Sequence, residues 1–542
     1  MKQLKGFKID KYYAVTVILM ITKLVLHLTA GTNYELHRDE MLYFNMAGHV
    51  SPGYATVPPV IGFLAFIVKS IFGYSVFGIR LAPALFGTAS IFIISRIVKD
   101  SGGGIPALII GAGSFLLSPG FLLFDTLFTP NVIEQFLWLL STYILFRMMT
   151  RENPRLWIWI GILLGISFLT KYSVLFYVAG FLPAMLLTAG RKLLINRYFW
   201  YAVVIAFIIA LPNLIWQFDH DFPVINHMYE LKRTQLDNMK YINFFIDIFS
   251  FNLASTIIWV SGLFSLLFII NERKMQFIGL GSLFVILLFM FSNGKGYYVL
   301  GVIPFLFAAG GSFLERFLKG KMALAGYPVL FMILGYSLMA LPFGLPVLSF
   351  DRLNEYAVRT ENILIYPFYR WEDGKVHGIS QAYTDMTGWR QLAFQVSEAY
   401  GRLSEDEQRR CTIFIEANYG DAGAIHFYGK EYNLPEPVTF LESYVFWAPD
   451  TIPAGPVIYI NNRIGGVTDQ FDSITETGSV DDKYFRENGL KVFLCTSPKI
   501  DIREVYRQLA FEEKRRMGCA RRAEGFHLPY PGYLVQILDI LP

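Results

Sequence analysis

The chain has 542 residues, 54% of them hydrophobic, 16% aromatic and only 17% charged, with a formal net charge of +4. Soluble globular domains carry roughly a quarter charged residues, so this composition, with a mean hydropathy of +0.42, excludes an ordinary soluble enzyme of about three or four domains. There is no Lys/Arg-dense arm to suggest nucleic acid as a partner, and Cys411, Cys495 and Cys519 offer neither a zinc spacing nor a disulfide framework.

Taken in chain order, the basic start "MKQLKGFKIDK" precedes the apolar run "YYAVTVILMITKLVLHLTAG". That run is too long for a signal-peptide core, and no small-residue cleavage site precedes Asp39, so it reads as an uncleaved span over 12–30. Apolar runs long enough to cross a bilayer then recur at 77–98, 104–123, 130–149, 156–170, 172–189, 198–216, 248–270, 275–292, 297–313 and 324–345, about eleven spans with the first. The piece 58–73 opens on Pro58-Pro59; its shortness fits an interfacial or re-entrant helix better than a crossing.

Orientation follows from the short basic loops. "SRIVKD", "RMMTRENPR", "RKLLINR", "NERK" and "ERFLKGK" all fall on the side of the basic N-terminus, which the positive-inside bias makes cytoplasmic. Counting 58–73 as a span would put the later basic loops outside. The outer face then collects the 31–76 loop, Asp125, Lys171, the 217–247 loop, "SNGKGYY" at 292–298 and everything from about 346.

Beyond 346 the apolar runs shorten to strand length, in "CTIFIEAN", "PVIYINN" and "KVFLCTS". "GWRQLAFQVSEAYGRLSEDEQRR" reads as one amphipathic helix, and "GDAGAIHFYGK" as a short helix opened by Asp421. The expected fold is mainly α: a polytopic transmembrane helical bundle over 1–345, with 31–76 as its first outer loop, and an extracytoplasmic α/β domain over 346–542.

Several polar groups stand where solubility does not need them. "HRDEMLYFNMAGH" at 37–49 contains the His-Arg-Asp of a protein-kinase catalytic loop, which requires Asn five residues after Asp to hold a metal. Phe44 stands there instead, and Asn45 is one residue too far, so a kinase is excluded. The acid pair Asp39-Glu40 can supply a general base or complement the N-terminal dipole of the helix it starts. Asp125 and Glu134 are acids at membrane depth, where ionisable groups are costly and usually functional, although Asp125 can also cap a helix and Glu134 can serve a structural ion pair. Lys171 in "FLTKYSV", Lys295 in "NGKGYY" and Arg80 suit an anionic head group at the outer leaflet; for Lys171 the alternative is snorkelling at a helix end. Tyr297 and Tyr298 follow Lys295 at the same interface. His27, His37 and His49 with the nearby acids leave a divalent metal open, and no ligand spacing enforces one.

The segments "HRDEMLYFNMAGHVSPGYATVPPVIGFLA", "SVFGIRLAPAL", "LTKYSVLF", "LPNLIWQ" and "GKGYYVLGVIPFLFAAGG", in that order, resemble the bacterial family-39-like glycosyltransferases. These are relatives of the protein O-mannosyltransferases and the lipid A aminoarabinose transferases. "QAYTDMTGW" and "EANYGDAGAIHFYG" resemble the C-terminal part of the same subgroup, so the resemblance runs over nearly the whole chain. It implies a GT-C fold in the bacterial inner membrane and inverting transfer of a sugar from a polyprenyl-phosphate carrier to a protein, lipid or glycan acceptor. By the same resemblance Asp39 is the base, Glu40 completes the acid pair, Asp125 and Glu134 match an acidic stretch, and Lys171 and Lys295 match the family's Thr-Lys and Gly-Lys. Tyr297 and Tyr298 fall in that substrate-binding set with Arg80. Thr56-Val57 stands where many relatives carry an acid before Pro58-Pro59, which removes one metal or phosphate contact. The alternative is a transporter or flippase of lipid-linked saccharide, which would favour charges at the midplane of broken spans; here the polar residues gather on one face. A non-catalytic glycan-binding protein would make the acid pair dispensable.

Overall fold

The computed structural model describes residues 10–517 apart from 239, 319–320, 361–370, 372–374 and 376. Cys519 lies outside the described residues. The chain forms two compact units. The first comprises the described parts of Met1–Tyr34, Val57–Leu214 and Tyr229–Tyr383; the second takes Glu35–Thr56, Ile215–Met228 and Thr384 onward. The acid pair's loop therefore belongs to the same compact unit as the α/β tail.

The first unit is helical. Among the described residues, six helices are long and apolar enough to cross a membrane: Lys11–Ala30, Val76–Asp100, Pro130–Arg151, Arg197–Asp219 (whose residues from Ile215 on belong to the second unit), Tyr241–Phe268 and Arg273–Phe291. Shorter apolar helices include Val60–Phe72, Ile105–Leu117, Pro154–Thr170 and Val174–Leu187. Arg197–Asp219 leaves Trp200, Val203, Val204, Phe207 and Ile208 about half exposed or more, a face stable in hydrocarbon rather than water. Several expected runs are interrupted. The 104–123 run breaks at Ser118, which is extended (ψ 125°) before Pro119, because proline disfavours the helical conformation in the residue before it. The 297–313 run begins as a 3₁₀ turn, Gly296–Val299, and becomes helical at Ile303–Phe317. Val60–Phe72 is a regular helix of 13 residues.

Glycines set the packing of the inner helices. A Cβ on Gly262 would collide with the carbonyl of Leu306, and one on Gly310 with the carbonyl of Ile258. On the adjoining side, a Cβ on Gly311 would strike the carbonyl of Ala107, and one on Gly111 would lie 2.9 Å from that of Phe307. Small residues let helix backbones approach closely in membranes, and here they seat Ile303–Phe317 between Thr256–Phe268 and Ile105–Leu117.

The second unit contains a four-stranded sheet of β1 (Thr412–Ile415), β2 (Val457–Asn461), β3 (Phe471–Ser479) and β4 (Lys491–Pro498). The order is β1-β2-β4-β3, with β1 parallel to β2 and the other pairs antiparallel. Three strands are those expected; β3 has an exposed, polar pattern that hid it. Tyr459, Phe493 and Cys495 join Ile502 and Tyr506 of the helix Ile502–Arg516 in one core. Cys411 and Cys495 are buried free thiols. The expected single helix after Gly388 is two, Trp389–Gly401 and Glu405–Gln408, because Ser404 forms a capping box with Glu407 and starts a new helix. The helix expected to open at Asp421 instead begins at Tyr419, capped by Asn418, whose side chain accepts from Gly420 N at 2.8 Å.

Candidate functional site

In the first unit, Glu134, Lys171, Tyr297 and Tyr298 come together. Lys171 Nζ donates to Asn131 Oδ1 at 2.6 Å and lies 3.4 Å from Glu134 Oε2. It sits over the rings of Tyr298, at 4.6 Å, and Tyr297, at 5.6 Å, a cation–π arrangement. Ser173 donates to Glu134 Oε1. Lys171 occupies the extended residue that ends Pro154–Thr170, and Glu134 faces it from the first turns of Pro130–Arg151. Lys295 is on the turn that carries the two tyrosines and donates to Gln235 Oε1 at 2.6 Å. The flanking Gly296 is required sterically, since a Cβ there would collide with Asp247.

Asp125 and Arg80 lie in other surroundings of the same unit. Asp125 Oδ2 is 2.6 Å from Lys23 Nζ, with the two side chains 3% and 0% exposed. Lys23 also donates to the carbonyl of Phe121 at 3.1 Å and lies over the Phe115 ring. Arg80 is buried and donates to the carbonyls of Gly31 and, at 3.1 Å, Tyr34, just past the C-terminal end of Lys11–Ala30. A cation there complements the helix dipole.

In the second unit, the opening loop motif folds as the helix Arg38–Asn45. His37 is its N-cap: Nδ1 accepts from Asp39 N at 3.1 Å, which leaves the other ring nitrogen to carry the proton in the neutral tautomer. That nitrogen lies 3.7 Å from Asp385 Oδ2. Glu40 is wholly buried and accepts from His37 N at 2.9 Å, completing a capping box. Asp39, one residue earlier, keeps a side chain 33% exposed. Tyr419 donates its hydroxyl to Asp39 Oδ1 at 2.5 Å. Arg38 lies 3.3 Å from Asp385, as does Arg486, and its guanidinium sits 5.5 Å from the Tyr419 ring centre.

This unit is rich in acids at the edge of ionisation. Burial pushes Glu442 up to about 7, with Asp39 adding to it and Arg38 opposing. Burial likewise raises Glu487 to about 7 and Asp421 well above the ordinary carboxyl range; both oxygens of Asp421 are buried without a hydrogen-bond partner. Glu35, also raised to about 7 by burial, accepts from Trp389 N at 2.7 Å and Arg390 N at 3.3 Å, so it caps the helix Trp389–Gly401. Among the described residues, no group of three or more His, Cys, Asp or Glu side chains is arranged to hold a metal ion. Sequence reasoning missed Lys23, Asn131, Ser173, Gln235, Glu35, Asp385, Tyr419 and Glu442 as partners. Tyr419 and Asp385 lie inside the family-like segments "EANYGDAG" and "YTDMTGW", which are the signal that could have found them.

The apolar helices of the first unit mark a multi-pass membrane protein, and its fold is similar to that of a solved membrane protein. Over 89% of this chain and 98% of that one it matches ArnT from Cupriavidus metallidurans bound to undecaprenyl phosphate, with a TM-score of 0.59 at 13% identity. The apo state of the same protein gives 0.58, also at 13% identity, over 90% of this chain and 98% of that one. Residues 56–216 match the family model of dolichyl-phosphate-mannose-protein mannosyltransferases. Lipid A galacturonosyltransferase RgtD of Rhizobium johnstonii is 28% identical over 194 residues, 36% of this chain and 41% of that protein. The match therefore spans less than half the length of that relative. The glycosyltransferase resemblance read from the motifs is the one these comparisons find.

Proposed function

We propose that this chain is an integral-membrane inverting glycosyltransferase. It moves a monosaccharide from a polyprenyl-phosphate carrier to a hydroxyl or amine of a protein, lipid or glycan. The reaction runs on the extracytoplasmic face of the bacterial inner membrane, with the N-terminus in the cytoplasm. The observation that carries this reading is the likeness in fold, over 89% of this chain, to a protein solved with undecaprenyl phosphate; the sequence matches to sugar transferases support it independently.

In this reaction Asp39 takes the proton of the acceptor group. The freed electron pair forms the bond to the anomeric carbon from the face opposite the phosphate. The carbon–oxygen bond to the carrier breaks, and polyprenyl phosphate leaves with that bond's electrons. One displacement gives inversion. Lys171 and Lys295 stabilise the charge that grows on the phosphate, with Glu134, Tyr297 and Tyr298 holding Lys171 in place. Glu40, Asp125 and Arg80 are assigned to structure, because the contacts described for them close a helix cap, a buried ion pair and a helix terminus.

The test is to incubate the purified chain with undecaprenyl-phosphate mannose, galacturonic acid and aminoarabinose and follow free undecaprenyl phosphate by mass spectrometry. Carrier release from at least one donor supports the reading. Transbilayer movement of the intact donors in vesicles, with no release, would instead favour a flippase.

A further inference from the structure

A hydrogen bond from Tyr419 ties the tail to Asp39 of the acid pair. Tyr419 is the first residue of the helix Tyr419–Tyr428, whose start is fixed by the Asn418 cap. That helix meets Arg38–Asn45 through glycines. A Cβ on Gly420 would lie 2.8 Å from Arg38 Cβ, and one on Gly423 would lie 2.6 Å from Met41 Cβ. Both backbones are thus held at a fixed approach, and the phenol reaches Asp39 Oδ1 at 2.5 Å. The other oxygen, Oδ2, has His37 no nearer than 3.9 Å, and the side chain is one-third exposed.

Resting on the reading of Asp39 as the base, we propose that Tyr419 is its positioning residue. The phenol fixes the carboxylate rotamer through Oδ1 and leaves Oδ2 to take the acceptor's proton. Burial above all, with the Asp39 carboxylate beside it, keeps the Tyr419 hydroxyl protonated far above the ordinary tyrosine range, so it acts as a donor and not as a second base. Free rotation of Asp39 would separate base and acceptor, and a misplaced catalytic group loses rate without losing substrate affinity. The tail is then part of the proton-transfer machinery in addition to any part in acceptor recognition.

The test uses the full chain in nanodiscs, comparing wild type, Tyr419→Phe, Asp39→Asn and the double variant on the undecaprenyl-phosphate sugars named above. Tyr419→Phe is expected to lower kcat about tenfold, the scale of one hydrogen bond to a charged group, with the KM for the donor unchanged. Added to Asp39→Asn, it is expected to cause no further loss of the residual rate. A readout independent of turnover is the infrared carboxylate band that disappears in Asp39→Asn, which should shift in Tyr419→Phe. An unmoved band with wild-type kcat would overturn the proposal. So would the same fold-loss in the Asp39→Asn background, which marks a purely structural role. Normal turnover by Asp39→Asn alone would instead remove the base assignment itself.

Discussion

Lys23 and Asp125 show at the scale of single residues how a charge at membrane depth can be structural. Each alone would be a costly group in the first unit; at 2.6 Å and almost without exposure they neutralise one another. Removing one member leaves an uncompensated buried charge, which costs about 3–5 kcal/mol. Asp125→Asn should therefore lower the thermal stability of the detergent-solubilised protein sharply, while the double variant Lys23→Met/Asp125→Leu should recover most of it. The sequence marks Asp125 as unusual because apolar residues surround it. It does not disclose Lys23 as the partner, because that contact depends on how the first span packs against a distant turn. The same holds for Glu40. Its position after an acid and before an apolar run admits both base and cap, and only its burial and its bond to His37 N separate the two.

The long apolar runs at 12–30, 77–98, 130–149 and 198–216 are legible at the scale of elements because hydropathy alone specifies them, and each matches one long helix. Breaks inside runs are less legible. Ser118-Pro119 splits one, and Ser404 starts a helix inside what reads as a single amphipathic stretch. The start of Trp389–Gly401 is illegible locally, since its cap, Glu35, comes from the other end of the sequence. The "AAGG" of the family-like segment has a steric explanation in the packing of Ile303–Phe317. Gly310→Ala should destabilise by about 1–3 kcal/mol, the cost of overpacking. The comparison is Gly335→Ala, where a Cβ meets nothing within 4 Å and no loss is expected. Thermal unfolding of the two variants in the same detergent checks the difference.

At the scale of the whole molecule, the fold class follows from composition, while the joining of residues 35–56 to the tail does not. No local pattern announces it, because it rests on long-range contacts such as those of Glu35 and Tyr419. The buried acids of this unit give it a pH dependence with a definite sign. Glu35, Glu442 and Glu487 are raised to about 7 from an ordinary 4.5, so the folded state holds protons that the unfolded chain has lost. Their contribution to stability is full below about pH 4.5 and falls as pH rises through 7. The unfolding temperature of the second unit should therefore drop between pH 5 and 8, and Glu442→Gln should flatten that slope; an unfolding temperature that rises over the same window would contradict the burial of these acids.

In the proposed reaction Asp39 removes the acceptor's proton while a polyprenyl phosphate departs. Its most direct test is carrier release by Asp39→Asn against wild type, on whichever undecaprenyl-phosphate sugar the wild-type chain consumes. Both proteins should show matched folding and donor affinity. Turnover should fall by about a hundredfold or more, the scale of general-base catalysis. Wild-type release by the variant would contradict it.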